Sequence, residues 1–188
     1  MAIQRLNEGV RAMLTAHFLA LPLKDRCLRF GTSVAPSVIA AYVDRIDFDH
    51  DAVFGVDDDR RALVGVAHLA FEGDLAEVGL SVLPTHQGRG LGSALFERAM
   101  AHARNRCVPR LIMHFLWSNT PILRIARRFR MNMVGRAGEV DARLELPPPS
   151  VASRTGEYVT EAVSLYDRAQ KALAAIWNCQ RGAGTPTI

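Results

Sequence analysis

Two features of the stretch "EVGLSVLPTHQGRGLG", Glu77 to Gly92, could do chemistry. The first is the loop at its end. Glycines at 88, 90 and 92 let a backbone approach a ligand with no Cβ atoms in the way. The residues that follow, "SALFERAMAHARN", place Ala94, Leu95, Ala99 and Ala103 at helical spacing. The glycines therefore lie at a helix N-terminus, where unpaired N–H groups and the macrodipole favour an anion. A phosphate or pyrophosphate is the expected guest. The second feature is Glu77, in the alternating run "LAEVGLSV", which shares a strand face with Gly79 and Ser81. A carboxylate on a central strand must be solvated by a cleft, paired or protonated. Close to the turn "EGD" it is also readable as an ordinary exposed charge.

Two nucleotide-site identities fail. A P-loop needs GxxxxGK[ST], but five positions after Gly88 stands Ser93, with no lysine following. The dinucleotide fingerprint requires glycine or alanine where Ser93 stands, and no acidic residue lies at the expected ribose position.

The elements that must position this loop are legible as changes of period. Residues 5–20 are helix-like, Pro22 can open a short helix at its first turn, and residues 35–46 form an amphipathic pattern behind Pro36. Short strand-like runs follow at 52–56, 62–71 and 75–83, separated by "DDDR" and "EGD", as in a three-stranded meander. After the glycine loop and its helix, "RLIMHFLW" reads as a strand, and Ser118 or Asn119 opens a helix with Pro121 in its first turn. That succession is a βαβ-type unit. "MNMVG" and "VDARLEL" suggest two more strands before "PPPS", 147–150, breaks regular structure. We therefore expect one domain over 1–147. Residues 148–188 then supply a proline-rich connection, an amphipathic helix and a flexible tail. That helix aligns Val159, Val163, Tyr166, Ala169, Leu173 and Trp177 on one face, to be covered by its own domain or by a second copy in a homodimer.

Bulk composition narrows the class. The chain has 188 residues, 49% of them hydrophobic, with no uncharged run near the roughly 18 residues a membrane span needs. A cytoplasmic protein without membrane partners is expected. Cys27, Cys107 and Cys179 are odd in number and far apart, and the histidines are scattered, so neither a disulfide framework nor a structural metal is expected. The net charge is +4, and all but two of the 23 basic residues are arginine, whose fork suits phosphate. The cluster "RIARRFR", 124–130, suits a phosphorylated ligand or a solvated helix face. It lacks the interleaved aromatics of single-strand binders, which disfavours nucleic acid.

"QGRGLG", Gln87 to Gly92, fits [Q/R]xxGx[G/A]. Together with the preceding VxP-like strand end, the Ala/Leu helix and the later strand followed by asparagine, it resembles the central motif of the GNAT superfamily of acyl-CoA-dependent N-acyltransferases. The resemblance runs from about residue 50 to 135. It implies an α+β fold, with a central mixed, mostly antiparallel sheet flanked by helices and an extra C-terminal helix. It also implies acetyl-CoA as cosubstrate. The backbone of Gln87, Gly88, Arg89, Gly90, Leu91, Gly92 and Ser93 would hold the pyrophosphate, and Leu80, Ser81 and Val82 would hold pantetheine and thioester. Asn119 falls where the family commonly touches the cofactor; as an N-cap it has a second role open to it. The family's first strand has only a weak candidate, "IQRL".

By the same resemblance Glu77, ten residues before Gln87, stands at the general base of several members. Such a base is needed, because a lysine-like amine with a pKa of about 10.4 is protonated at neutral pH. The acceptor would be a small-molecule amine or a protein lysine. "NTPILRIARRFRM" departs from the family by placing Ala126 at the position of a tyrosine acid. Bacterial protein lysine acetyltransferases share that alanine. Loss of the acid leaves open a non-catalytic acyl-CoA-binding regulatory module. His114, Ser118 and Cys107 are conceivable replacements, although a histidine on an apolar strand is commonly packed in a core.

Overall fold

The computed structural model describes residues 2–182. Its centre is a seven-stranded sheet in the order β1-β2-β3-β4-β5-β7-β6. The strands are β1 (Gln4–Leu6), β2 (Ala52–Asp57), β3 (Leu63–Glu72), β4 (Leu75–Val82), β5 (Arg110–Leu116), β6 (Asn132–Arg136) and β7 (Glu139–Glu145). Every neighbouring pair is antiparallel except β4 and β5. Helices α1 (Arg11–Ala20), α2 (Leu23–Phe30) and α3 (Pro36–Asp44) precede β2, and α4 (Leu91–Asn105) joins β4 to β5. Then α5 (Thr120–Arg128) follows β5, and α6 (Val151–Gly182) follows β7.

The helical reading of residues 5–20 is corrected at its start. Asn7 is extended, and its side chain accepts the Gly9 N–H at 3.2 Å, opening a 3-10 turn over Glu8–Val10 before α1. This cap frees residues 4–6 to pair with β2, Leu6 opposite Val53, so "IQRL" holds the sheet's first strand. Pro22 stands just before α2, as its N-cap, and not within its first turn.

Adjacent residues of β2 enter different cores. Val53 packs with Leu14, Phe18, Ile39 and Val43 of α1 and α3, while Phe54 packs with Leu95, Phe96 and Ala99 of α4. A strand buried on both faces needs no polar alternation, which explains the continuous apolar run at 52–56.

The C-terminal helix docks by its polar stripe. Arg98 of α4, 8% exposed, donates to Glu157 at 2.7 Å and to Glu161 at 3.0 Å. His102 and Asn105 reach Glu157 at 2.6 and 2.7 Å, and Ser164 Oγ donates to the Ile3 carbonyl at 2.8 Å. His102, Glu157 and Glu161 are grouped closely enough to suggest a metal site, but the Arg98 guanidinium already supplies the cation. Of the two covers expected for the apolar face, its own domain does not supply one for the described residues, since Val159, Val163, Tyr166 and Ala169 are exposed. The side chains of Leu173 and Trp177, and the tail from 183, lie outside the described residues.

Candidate active site

The geometry of the site follows from one short ladder. The parallel pairing of β4 with β5 runs only through Leu75↔Arg110, Ala76↔Leu111 and Glu77↔Ile112. Beyond it β4 continues to Val82 and β5 to Leu116 without pairing to each other, so the sheet opens as a V with Glu77 at its apex. Along the open edge, alternate β4 N–H and C=O groups face the gap, because β3 takes only the other side. The α2 helix packs against both arms of the V.

The strand ends at a 3-10 turn, Pro84–His86, and enters the glycine loop. Gly88 and Gly90 have φ of +74° and +81°, and no atom lies within 4 Å of a Cβ built at either. Only glycine adopts this conformation at little cost, and the space in front of it is empty. Gly90 is the N-cap of α4, and Gly92 sits where a Cβ would come 3.2 Å from Ile125 of α5. A cavity of about 490 Å³ lies against this loop. It is lined by Leu80, Ser81, Val82, Gln87, Gly88, Gly90, Leu91, Gly92, Ser93 and Asn119. The sequence-derived cofactor set is thus brought together, apart from Arg89, which is exposed and lines none of the cavity.

Three of those residues have side chains engaged elsewhere. Asn119 accepts the Ile122 N–H at 3.3 Å as N-cap of α5 and donates to the Leu28 carbonyl at 3.2 Å, so both ends of its amide are used. Gln87 donates to the Val82 carbonyl at 2.9 Å and to Asp25 at 3.2 Å. Ser81 is bonded to His17, so it meets the gap only through its backbone.

His17 is 2% exposed, and its Nδ1 lies 2.8 Å from the Leu63 carbonyl, which can only accept. The ring therefore donates there, and Nε2 accepts from Ser81 Oγ–H at 2.8 Å. Burial is the main cause that lowers the imidazole from 6.5 to about 4. The unfolded chain takes up a proton near 6.5 that the folded chain refuses until about 4. Stability is therefore fully present above pH 6.5 and falls through this window by about 1.4 kcal/mol per pH unit. Urea unfolding at pH 7, 6, 5 and 4 should show that slope, and His17→Asn should lessen it.

A second hollow of about 350 Å³ adjoins the first at the mouth of the V. Glu77, His114, Glu139, Arg29 and Gly79 line it. Glu77 is exposed into the hollow, and its face-mates Gly79 and Ser81 meet Arg29 and His17, as strand alternation requires. His114 is no core histidine: its side chain is 50% exposed and lies 2.6 Å from Asp141 of β7. An antiparallel partner strand places Asp141 directly across from it. Ala126 is fully buried in the core between α5 and the sheet.

Sequence reasoning missed Asp25, Leu28 and Arg29 of α2, and His86, which also line the larger cavity, as do Arg124 and Arg128 of the cluster read as suited to a phosphorylated ligand or a solvated helix face. For Arg124 and Arg128 the structure favours the first of those two readings. Their i,i+4 spacing puts them on one face of α5, and that face looks into the cavity.

The Acetyltransferase (GNAT) family matches residues 25–129, a span that holds the V, the loop and α5. No curated protein matches the chain. Among solved structures it is similar to the GNAT domain of S. lividans PAT, at 19% identity and a TM-score of 0.66, covering 77% of this chain and 89% of that one. A ribosomal-protein-alanine N-acetyltransferase from Brucella melitensis gives 18% and 0.59, covering 78% and 100%. A putative acetyltransferase from Salmonella typhimurium, solved with its cofactor acetyl-CoA, gives 18% and 0.60, covering 80% and 96%.

Proposed function

Because this chain belongs to the GNAT acetyltransferase family, whose acyl donor is acetyl-CoA, we propose that it transfers the acetyl group to a primary amine, with Glu77 as general base. The observation that carries the reading is the V between β4 and β5. It exposes the backbone of 78–82 between a carboxylate at its apex and an anion cradle at its far end. An extended pantetheine arm needs such an unpaired strand edge, and its pyrophosphate needs the N–H groups of Gly88 to Ser93. Arg124, Arg128 and His86 line the same cavity and would face the phosphates.

The amine nitrogen bonds to the thioester carbon as the carbon–sulfur bond breaks. Glu77 accepts the proton that the amine must lose. A β4 N–H facing the gap would stabilise the developing oxyanion. The thiolate leaves without a side-chain acid at position 126, since Ala126 is buried, and takes its proton from water; a thiol pKa near 8.5 permits this. The His114–Asp141 pair supports a second assignment, in which this imidazole moves the proton. Two units complete the proposal: a transferase domain over 1–147, and a C-terminal helix that rides on it.

The first test is a calorimetric titration with acetyl-CoA, beside coenzyme A and a form lacking the 3′-phosphate. Saturable micromolar binding supports the reading. Absence of heat or thermal shift at millimolar ligand removes it. Replacing Gly88 and Gly90 together by alanine puts Cβ atoms into the cradle and strains two positive-φ positions. The expected result is about a tenfold to hundredfold loss of affinity for acetyl-CoA, measured in the same titration, with helix content unchanged.

A further inference from the structure

We propose that the acceptor is a small zwitterion, an amine with a carboxylate close by as in a free amino acid, and that Arg29 binds that carboxylate. This rests on the acyl-transfer reading above. Arg29, in the last turn of α2, lies directly against β4: a Cβ built on Gly79 would come 2.6 Å from its Cζ, so only glycine leaves room for the guanidinium. The rings of Phe30, Tyr42 and Phe18 surround it at 5.1, 5.5 and 5.7 Å.

Its polar contacts are too few for its charge. Nη2 donates to Tyr42 Oη at 2.7 Å, Nε is buried without a partner, and among the described residues no carboxylate pairs with it. The guanidinium is half-buried against these rings and lines the hollow with no ion-pair partner among the described residues, so it keeps donors open to an acid group. A relay fixes it in place. The phenol lies 2.7 Å from His68 Nδ1, and His68 Nε2 lies 2.9 Å from Asp51 Oδ2. The directions close if Arg29 donates to the phenol, the phenol to His68, and His68 to Asp51.

The second hollow is bipolar. The carboxylates of Glu77 and Glu139 and the guanidinium of Arg29 all line it. Arg29 touches β4 at residue 79, two residues beyond Glu77, which on an extended strand is about 7 Å. With a hydrogen bond of about 3 Å at each end, a molecule reaching from Glu77 to Arg29 must carry its amine and its carboxylate only a few ångströms apart, as a small amino acid does. A polyamine or an internal lysine would instead bring positive charge toward an unpaired cation. A carboxylate could also arrive on the acyl group of the donor, so the test varies both substrates.

Free thiol release would be measured with free amino acids, their carboxamides and spermidine, using acetyl-CoA and, separately, succinyl-CoA. We expect kcat/KM for the best amino acid to exceed that of its amide at least tenfold. Arg29→Gln should abolish the difference mainly through KM, and Arg29→Lys should restore part of it. Tyr42→Phe, which keeps the ring but not the hydroxyl, should weaken the preference and covers the case in which Arg29→Gln fails to fold. Preference for amides or spermidine, or a preference for acids that survives Arg29→Gln, overturns the proposal alone. An Arg29-dependent preference for succinyl-CoA with indifference to the acceptor moves the carboxylate to the donor and overturns it too. No thiol release with any amine removes the acyl-transfer reading together with it.

Discussion

Glu77→Gln should lower kcat at pH 7 by about 10²- to 10⁴-fold, the usual contribution of a positioned general base, and leave the affinity for acetyl-CoA unchanged. The two effects separate because Glu77, at the apex of the V, lines the second hollow and not the cavity of the glycine loop. The pH profile sharpens the test. Without the base, turnover depends on the fraction of amine already free, so the variant's rate should rise about tenfold per pH unit toward the amine pKa, and its deficit should shrink. His114→Gln is the matched control, since this imidazole lines the same hollow. A large loss in His114→Gln with little in Glu77→Gln would transfer the proton to the His114–Asp141 pair.

The second large effect concerns the framework. Arg98→Met should destabilise the protein by about 1–3 kcal/mol, because it removes the buried cation of an ion network whose carboxylates, only partly buried, stay charged and take up water in part. The arginine stem packs with its guanidinium 4.8 Å from the Phe54 ring, a contact that methionine largely preserves, so the loss reports charge more than volume. Burial alone would raise Glu157, but hydrogen bonds from His102, Asn105 and Arg98 outweigh it and hold this carboxyl at about 2 instead of 4.5. The stabilisation is therefore present above pH 4.5 and is lost as pH falls through 2. In urea titrations the gap between Arg98→Met and the parent should be widest above pH 4.5 and close below it. Adding Glu157→Gln to Arg98→Met should recover part of the loss. If Arg98→Met costs less than 1 kcal/mol, the network does not anchor α6.

A pH response below neutrality thus has sources in different places. His17 acts between 6.5 and 4 beneath β4, and Glu157 between 4.5 and 2 beneath α6. The first bears on the site, since the Ser81–His17 bond fastens the strand that borders the V.

The loop and its helix were legible because their information is local: alternate glycines, a helix-forming run and a preceding strand all sit within thirty residues. The same holds for the meander, whose turns and period-two runs are contiguous. Residues 5–10 read as helix because a short strand that pairs about 50 residues away has no periodicity of its own, and the Asn7 cap that ends it is visible only in the folded chain. What covers the C-terminal helix was not legible for a related reason. Its apolar stripe is plain in the sequence, but a stripe says nothing about which face meets the domain. Here the buried side is the polar one, because Arg98 and His102 of α4 wait for Glu157 and Glu161.

By itself the sequence determined the glycine loop at a helix N-terminus, the strand bearing Glu77 and the motif whose resemblance pointed to the family and its fold class. Each of these depends on residues near one another in the chain, where propensity and spacing act. Only the tertiary structure decided what stands around the reacting centre. Arg29 reaches Gly79 across 50 residues, His114 meets Asp141 through strand pairing, and the V opens where β4 and β5 part after Glu77. Those contacts arise from the packing of α2 and the register of a parallel ladder, and neither leaves a periodic trace in the order of amino acids.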